Sequence, residues 1–126
     1  MPVTAKELLA AANAAVPRIP GKEAMDLAKS GNVLFVDVRD GTELAASGKV
    51  PGALHTPRGV LEFRACPESA MYDKAFDRSK TLILYCGSGG RAALAGKTLK
   101  DLGYADVRNL GGFKDWLEAG GTVEKI

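Results

Sequence analysis

Two short apolar runs constrain this chain most: Val33-Leu34-Phe35-Val36-Asp37-Val38 and Thr81-Leu82-Ile83-Leu84-Tyr85. Each has the length of a β-strand and is nearly unbroken, where a sheet with one wet face would alternate apolar and polar residues. Unbroken runs are expected when helices cover both faces, the environment of central parallel strands. Parallel strands in turn need crossover connections, usually helical.

The rest of the chain supplies those connections. Thr4 with Glu7 three residues later forms a capping-box pattern at the start of a short helix that Pro17 ends. Gly21 to Lys29 is predicted as a second helix with Ala24, Leu27 and Ala28 on one face. Arg91 to Leu102 carries Ala92, Ala95, Leu99 and Leu102 on one stripe, with Gly103 as its stop. Phe113 to Ala119 is the last helix, with Phe113, Trp116 and Leu117 turned inward. Ile19, between Pro17 and Pro20, is expected as a brief edge strand. Leu54-His55-Thr56 and Val107-Arg108-Asn109-Leu110 are further short strands, and Arg58 to Ser79 has room for one or two short helices. Alternating strands and helices define an α/β fold.

With 126 residues, 46% hydrophobic and 25% charged, the expectation is one domain over residues 1–126, residues 4–16 being an accessory N-terminal helix. The net charge of +2 comes without any long basic run, which argues against nucleic acid or a membrane surface as partner. The N-terminal stretch is interrupted by Asn13 and Pro17 and is too weakly apolar for a secretory core or a membrane span. Two cysteines, Cys66 and Cys86, are too few and too far apart for a zinc site or a Cys-x-x-Cys pair. They suit a reducing, cytoplasmic location.

Chemistry concentrates in Cys86-Gly87-Ser88-Gly89-Gly90-Arg91. A cysteine at the carboxyl end of a buried strand, just before a helix, stands where open parallel sheets place ligands. The helix start offers free amide donors and partial positive charge, which favour a thiolate. Gly87, Gly89 and Gly90 let several amides converge into a nest for sulfur or an oxyanion, and Arg91 adds a permanent charge able to fork onto an anion. A buried, inert thiol is the alternative for an isolated cysteine, but this setting favours a reactive one.

Four ordered blocks resemble the rhodanese homology domain: Asp37-Val38-Arg39-Asp40, Gly48-Lys49-Val50-Pro51-Gly52-Ala53, the Cys86 loop, and Asn109-Leu110-Gly111-Gly112-Phe113 with Trp116 and Ala119-Gly120. The resemblance implies a doubly wound parallel sheet of about five strands flanked by helices. It also implies a sulfurtransferase in which Cys86 takes the outer sulfur of a donor such as thiosulfate and passes it, as a persulfide, to cyanide or a thiol. No metal or organic cofactor is implied. Lys49 stands where the family commonly has His. The loop also lacks the extra basic residues of some thiosulfate-specific members, which leaves the donor open.

Asp37 and Arg39 are expected to pair and hold adjacent loops. Arg58, followed by Gly59 after a strand end, is a candidate anion contact facing the loop. His55 lies within a strand and nothing in the sequence brings it to Cys86; Cys66, between Ala65 and Pro67, has no activating neighbour. Two other functions compete: a sulfur carrier or interaction module that serves a protein acceptor through the same persulfide, and a cysteine-dependent phosphatase or arsenate reductase. Phosphatases of similar fold use a loop one residue longer to surround a tetrahedral oxyanion, whereas four residues separate Cys86 from Arg91.

Overall fold

The computed structural model describes residues 2–126. In chain order its elements are α1 (Ala5–Ala15), α2 (Gly21–Ala28), β1 (Val33–Asp37), α3 (Gly41–Ser47), β2 (Leu54–His55), a 3-10 turn (Arg58–Val60), α4 (Leu61–Ala65), β3 (Thr81–Cys86), α5 (Gly90–Asp101), β4 (Val107–Gly112) and α6 (Phe113–Glu118). The strands form one parallel sheet in the order β2-β1-β3-β4.

The two apolar runs are its central strands, and their side chains divide between two cores. Leu34, Val36, Leu82 and Leu84 face one layer with Leu61 and Ala65 of α4, Ala92, Ala95 and Leu99 of α5, and Val16 after α1. Phe35, Ile83 and Tyr85 face the opposite layer with Ala24 of α2 and Phe113 and Trp116 of α6. Unbroken hydrophobicity is therefore what a strand with helices on both faces requires. Each fully buried Leu or Ile contributes about 1.5–3 kcal/mol relative to an exposed one.

The capping box at Thr4 is formed, with Glu7 N–H donating to Thr4 Oγ1 at 3.1 Å and Thr4 N–H to Glu7 Oε1 at 3.2 Å. Helix α1 ends before Pro17 and packs along α5. The segment Arg58 to Ser79 holds the 3-10 turn and α4.

Several local expectations are corrected. The sheet has four strands rather than about five, because the Ile19 segment makes only an isolated parallel bridge between Arg18 and Asn109. Pro17 O accepts from Asn109 N–H at 2.8 Å and Ile19 N–H donates to Asn109 O at 3.0 Å; Pro20 has no N–H to continue the ladder. Leu117 is 42% exposed, on the outer side of α6. Ala28 is also exposed, and Met25 instead joins Leu27 against the second core.

Candidate active site

Cys86 closes β3, and the loop after it leads directly into α5. The residue is 1% exposed, so its sulfur faces inward from the strand end rather than projecting into solvent. Gly89 N–H donates to Sγ at 3.0 Å. Gly89 precedes α5 with φ +109°, a left-handed conformation open to Gly and disfavoured for residues with a Cβ. That dihedral turns its amide back toward the sulfur.

The loop is tied to β4 by a local irregularity. Leu84 pairs with Asn109 but Tyr85 pairs with Gly111, so Leu110 is an extra residue in β4. Such bulges bend a strand and re-aim its side chains. Here buried Asn109 donates from Nδ2 to Gly89 O at 3.0 Å, while its Oδ1 accepts from Gly111 N–H at 2.7 Å. Gly89, whose N–H contacts sulfur, is thus held at its own carbonyl, one peptide further on, by an amide side chain on the neighbouring strand.

Arg91 is oriented differently from the sequence expectation. Its guanidinium forks onto Glu43 of α3, Nη1 to Oε1 at 2.7 Å and Nη2 to Oε2 at 3.0 Å, so its hydrogen bonds go to this carboxylate rather than to sulfur. Glu43 Oε1 also accepts from Asp40 N–H at 3.0 Å. The bond from Arg91 is the main reason that the Glu43 carboxyl is lowered to about 2, against the opposing effect of burial. Arg91 is held above its ordinary value chiefly by Glu43 and to a lesser degree by nearby Cys86. It borders the loop at Gly87, where an added Cβ would stand 3.2 Å from Nη2.

Asp37 and Arg39 form a separate, buried pair. Arg39 Nη2 donates to Asp37 Oδ2 at 2.7 Å and Nε to Oδ1 at 3.0 Å, and Nη2 also reaches Gly48 O at 2.8 Å. The guanidinium lies over the Phe113 ring at 4.7 Å and the Tyr85 ring at 5.5 Å. Tyr85, whose phenol burial pushes upward in pKa, accepts from Val50 N–H at 3.0 Å. Lys49 donates to Ala53 O at 2.6 Å. This set joins β1, β3, α6 and the turn after α3.

The other sequence candidates disperse. Arg58 does not face the loop: it donates to Glu62 at 3.0 Å and to Thr98, far along α5, at 3.2 Å. It opens the 3-10 turn into α4, which carries its side chain onto the flank of α5. One His55 ring nitrogen lies 2.7 Å from Arg39 O, and Cys66 and Cys86 are both free. Ser88 is exposed at the outer edge of the loop.

Two residues near the loop escaped the sequence reading. Glu43 belongs to a readable motif, Asp40 followed by Glu43, but its partner Arg91 is 48 positions away. Arg18, in the strap between α1 and α2, lies against Gly89 and Gly111: a Cβ on either glycine would collide with its guanidinium. Its side chain is 55% exposed and its nearest carboxylate oxygen, on Asp115, is 3.8 Å away.

The profile of the rhodanese-like domain matches residues 21–119. The human thiosulfate:glutathione sulfurtransferase is 33% identical over 112 residues, spanning 83% of this chain and 96% of that protein. The solved structure of a human single-domain sulfurtransferase is 33% identical with a TM-score of 0.67, over 82% of this chain and 96% of that one. A solved protein of unknown function from Rhodopseudomonas palustris, described as a possible tyrosine phosphatase, is 38% identical with a TM-score of 0.88, over 98% of this chain and 99% of that one. With its parallel sheet, its cysteine loop at the end of β3 and a profile match across most of its length, the chain belongs to the rhodanese-like domain family.

Proposed function

We propose that the protein is a sulfurtransferase that carries a sulfane sulfur on Cys86. The observation that carries this reading is the Gly89 amide directed at Sγ within a loop of four intervening residues. Such a cradle suits a single anionic sulfur atom, whose charge amide dipoles stabilise as they would an oxyanion. The Cys86 thiolate attacks the outer sulfur of thiosulfate, the S–S bond breaks with its electron pair leaving on sulfite, and Cys86 becomes a persulfide. A thiol then attacks as its thiolate at the outer sulfur of the protonated persulfide, forms its own persulfide and releases the Cys86 thiolate. Cyanide in the same role leaves as thiocyanate. Both steps balance without an external oxidant or reductant.

The human relative's name supports thiosulfate as donor and glutathione as acceptor. A protein acceptor would use the same persulfide, and rapid transfer to one protein with slow turnover of small thiols would identify a carrier. The tyrosine phosphatase activity suggested for the Rhodopseudomonas protein fits this chain less well, because the loop is short and Arg91 is bonded to Glu43 rather than offered to a central oxyanion. Among the described residues no helix is long and apolar enough to cross a membrane, and two free thiols suit the cytoplasm.

The test is incubation with thiosulfate, intact-mass measurement, then cyanide and assay of thiocyanate. Gain of one labile sulfur on wild type and none on Cys86→Ser is expected. Failure of wild type to load from thiosulfate or mercaptopyruvate, or equal turnover by Cys86→Ser, would overturn the reading. Hydrolysis of an aryl phosphate that depends on Cys86 would replace it with the phosphatase.

A further inference from the structure

The loop's own arginine is engaged by the Glu43 carboxylate through both terminal nitrogens, so another group must meet an anionic acceptor. Arg18 is the answer the surroundings favour. It lies before the profile match, in the strap whose bridge to Asn109 fixes its backbone beside β4. The guanidinium rests against Gly89, the residue whose amide donates to the Cys86 sulfur. Asp115, its nearest carboxylate, already accepts from Gly112 N–H at 2.8 Å and stands 3.8 Å from Arg18. Guanidinium donors of Arg18 therefore remain available beside Gly89.

Those donors line a cleft of about 210 Å³ between α1 and the loop, with Leu9, Asn13, Ser88, Gly89 and Gly90 as the other walls. Asn13 and Ser88 add neutral polar groups, and among the described residues no carboxylate lines this cleft. The larger cavity on the other side of Arg18, about 520 Å³, is lined by Asp115 and Glu118 and repels an anion. A permanent cation with forked donors, flanked by hydroxyl and amide groups, matches a carboxylate.

We propose that Arg18, with Asn13 and Ser88, forms the subsite for the carboxylate of a thiol acceptor, and so selects carboxylate-bearing thiols of the cysteine-peptide type over neutral thiols. The proposal rests on the sulfurtransferase reading above. It gives α1 and the strap a function beyond packing: α1 supplies one wall of the cleft and the strap supplies its charge. Binding the acceptor here places its thiol beside the loop without adding a second charge to the sulfur cradle itself.

The experiment measures kcat/KM for transfer from thiosulfate-loaded protein to glutathione and to 2-mercaptoethanol, and takes the ratio. Loss of one charge-assisted contact corresponds to roughly a tenfold effect, so the ratio should fall about tenfold in Arg18→Gln. Arg18→Lys should retain part of it. Asn13→Asp, an exposed change on α1, should lower the ratio in the same direction by placing a negative charge in the cleft. An unchanged ratio in both Arg18→Gln and Asn13→Asp, or an equal loss with the two thiols, overturns the proposal while leaving sulfur transfer intact. Wild-type protein that never loads sulfur overturns the sulfurtransferase reading and this subsite with it.

Discussion

Two arginine–carboxylate pairs stand near the carboxyl ends of the strands, and they differ in almost everything but chemistry. Arg39 and Asp37 are 4% and 0% exposed, two residues apart in sequence, and enclosed by Tyr85, Phe113 and the Gly48 carbonyl. Arg91 and Glu43 come from separate helices and are 39% and 34% exposed at the border of the Cys86 loop. The first pair has its donors and acceptors consumed by the scaffold. The second can open at little cost, because water replaces what either partner loses. Burial thus separates a pair that maintains shape from one able to respond to a ligand.

Breaking the buried pair should have the largest effect. Arg39→Ala leaves the fully buried Asp37 carboxylate without its cationic partner, a situation that costs about 3–5 kcal/mol. Denaturant unfolding should show that loss together with reduced sulfur loading, since β1 and β3 are both joined through this arginine. A loss under about 1 kcal/mol, the ordinary range for an exposed pair, would erase the distinction between the two.

A smaller effect of opposite sign should arise beside it. Thr56 N–H donates to Asp37 O at 2.9 Å, but Thr56 Oγ1 is buried without a hydrogen-bond partner. Thr56→Val keeps the shape and removes the unpaired hydroxyl, so it should stabilise the protein by up to about 1 kcal/mol. Destabilisation of that size would mean that the hydroxyl has a partner in solution and that the buried region is more polar than its contacts indicate.

How far sequence reached follows the same division between local and distant. Val33 to Val38 and Thr81 to Tyr85 announce buried strands because the requirement, apolar residues on both faces, is met within each segment. Thr4 and Glu7 announce a helix start because the capping partners are three residues apart. Asp37 and Arg39 are also neighbours, and their pairing was legible. Arg91 borders the loop because it follows it in sequence, yet its bond to Glu43 depends on where α3 returns after β1, which no local pattern encodes. Arg58 misled for a related reason: the strand end before it suggested the loop, but the 3-10 turn carries it toward Thr98. Arg18 gave no signal because its importance lies in the glycines opposite it, Gly89 and Gly111, and in the bulge at Leu110 that presents them.

The responsive pair can be tested next at its carboxylate. Glu43→Gln removes the charge that Arg91 now answers while keeping a similar shape. Stability should fall by no more than about 1 kcal/mol, as for other exposed pairs. Arg91 would then be available to an anionic donor, and KM for thiosulfate should fall by a few-fold, about 1 kcal/mol or less of added binding. An unchanged or higher KM would show that Glu43 positions Arg91 for the donor instead of competing for it.

The smallest expected effect is a pH dependence with a defined sign. Glu43 titrates near 2 in the folded protein against an ordinary value of 4.5, with the Arg91 hydrogen bond as its main cause. A carboxyl depressed on folding stabilises the folded state at pH values above its unfolded value, and that stabilisation disappears as pH falls through the folded one. The contribution of this pair should therefore be complete above about pH 5 and lost progressively between about pH 4.5 and 2. Exposure of both side chains limits it to about 1 kcal/mol. Thermal melts of wild type and Glu43→Gln at pH 7 and pH 3 isolate it, because other carboxyls titrate in both proteins and cancel in the difference. The wild-type advantage should shrink toward pH 3. A constant difference across that range would mean that the Glu43–Arg91 contact is too weakly populated in solution to shift the carboxyl, and Arg91 would then be free to face the loop without any substitution.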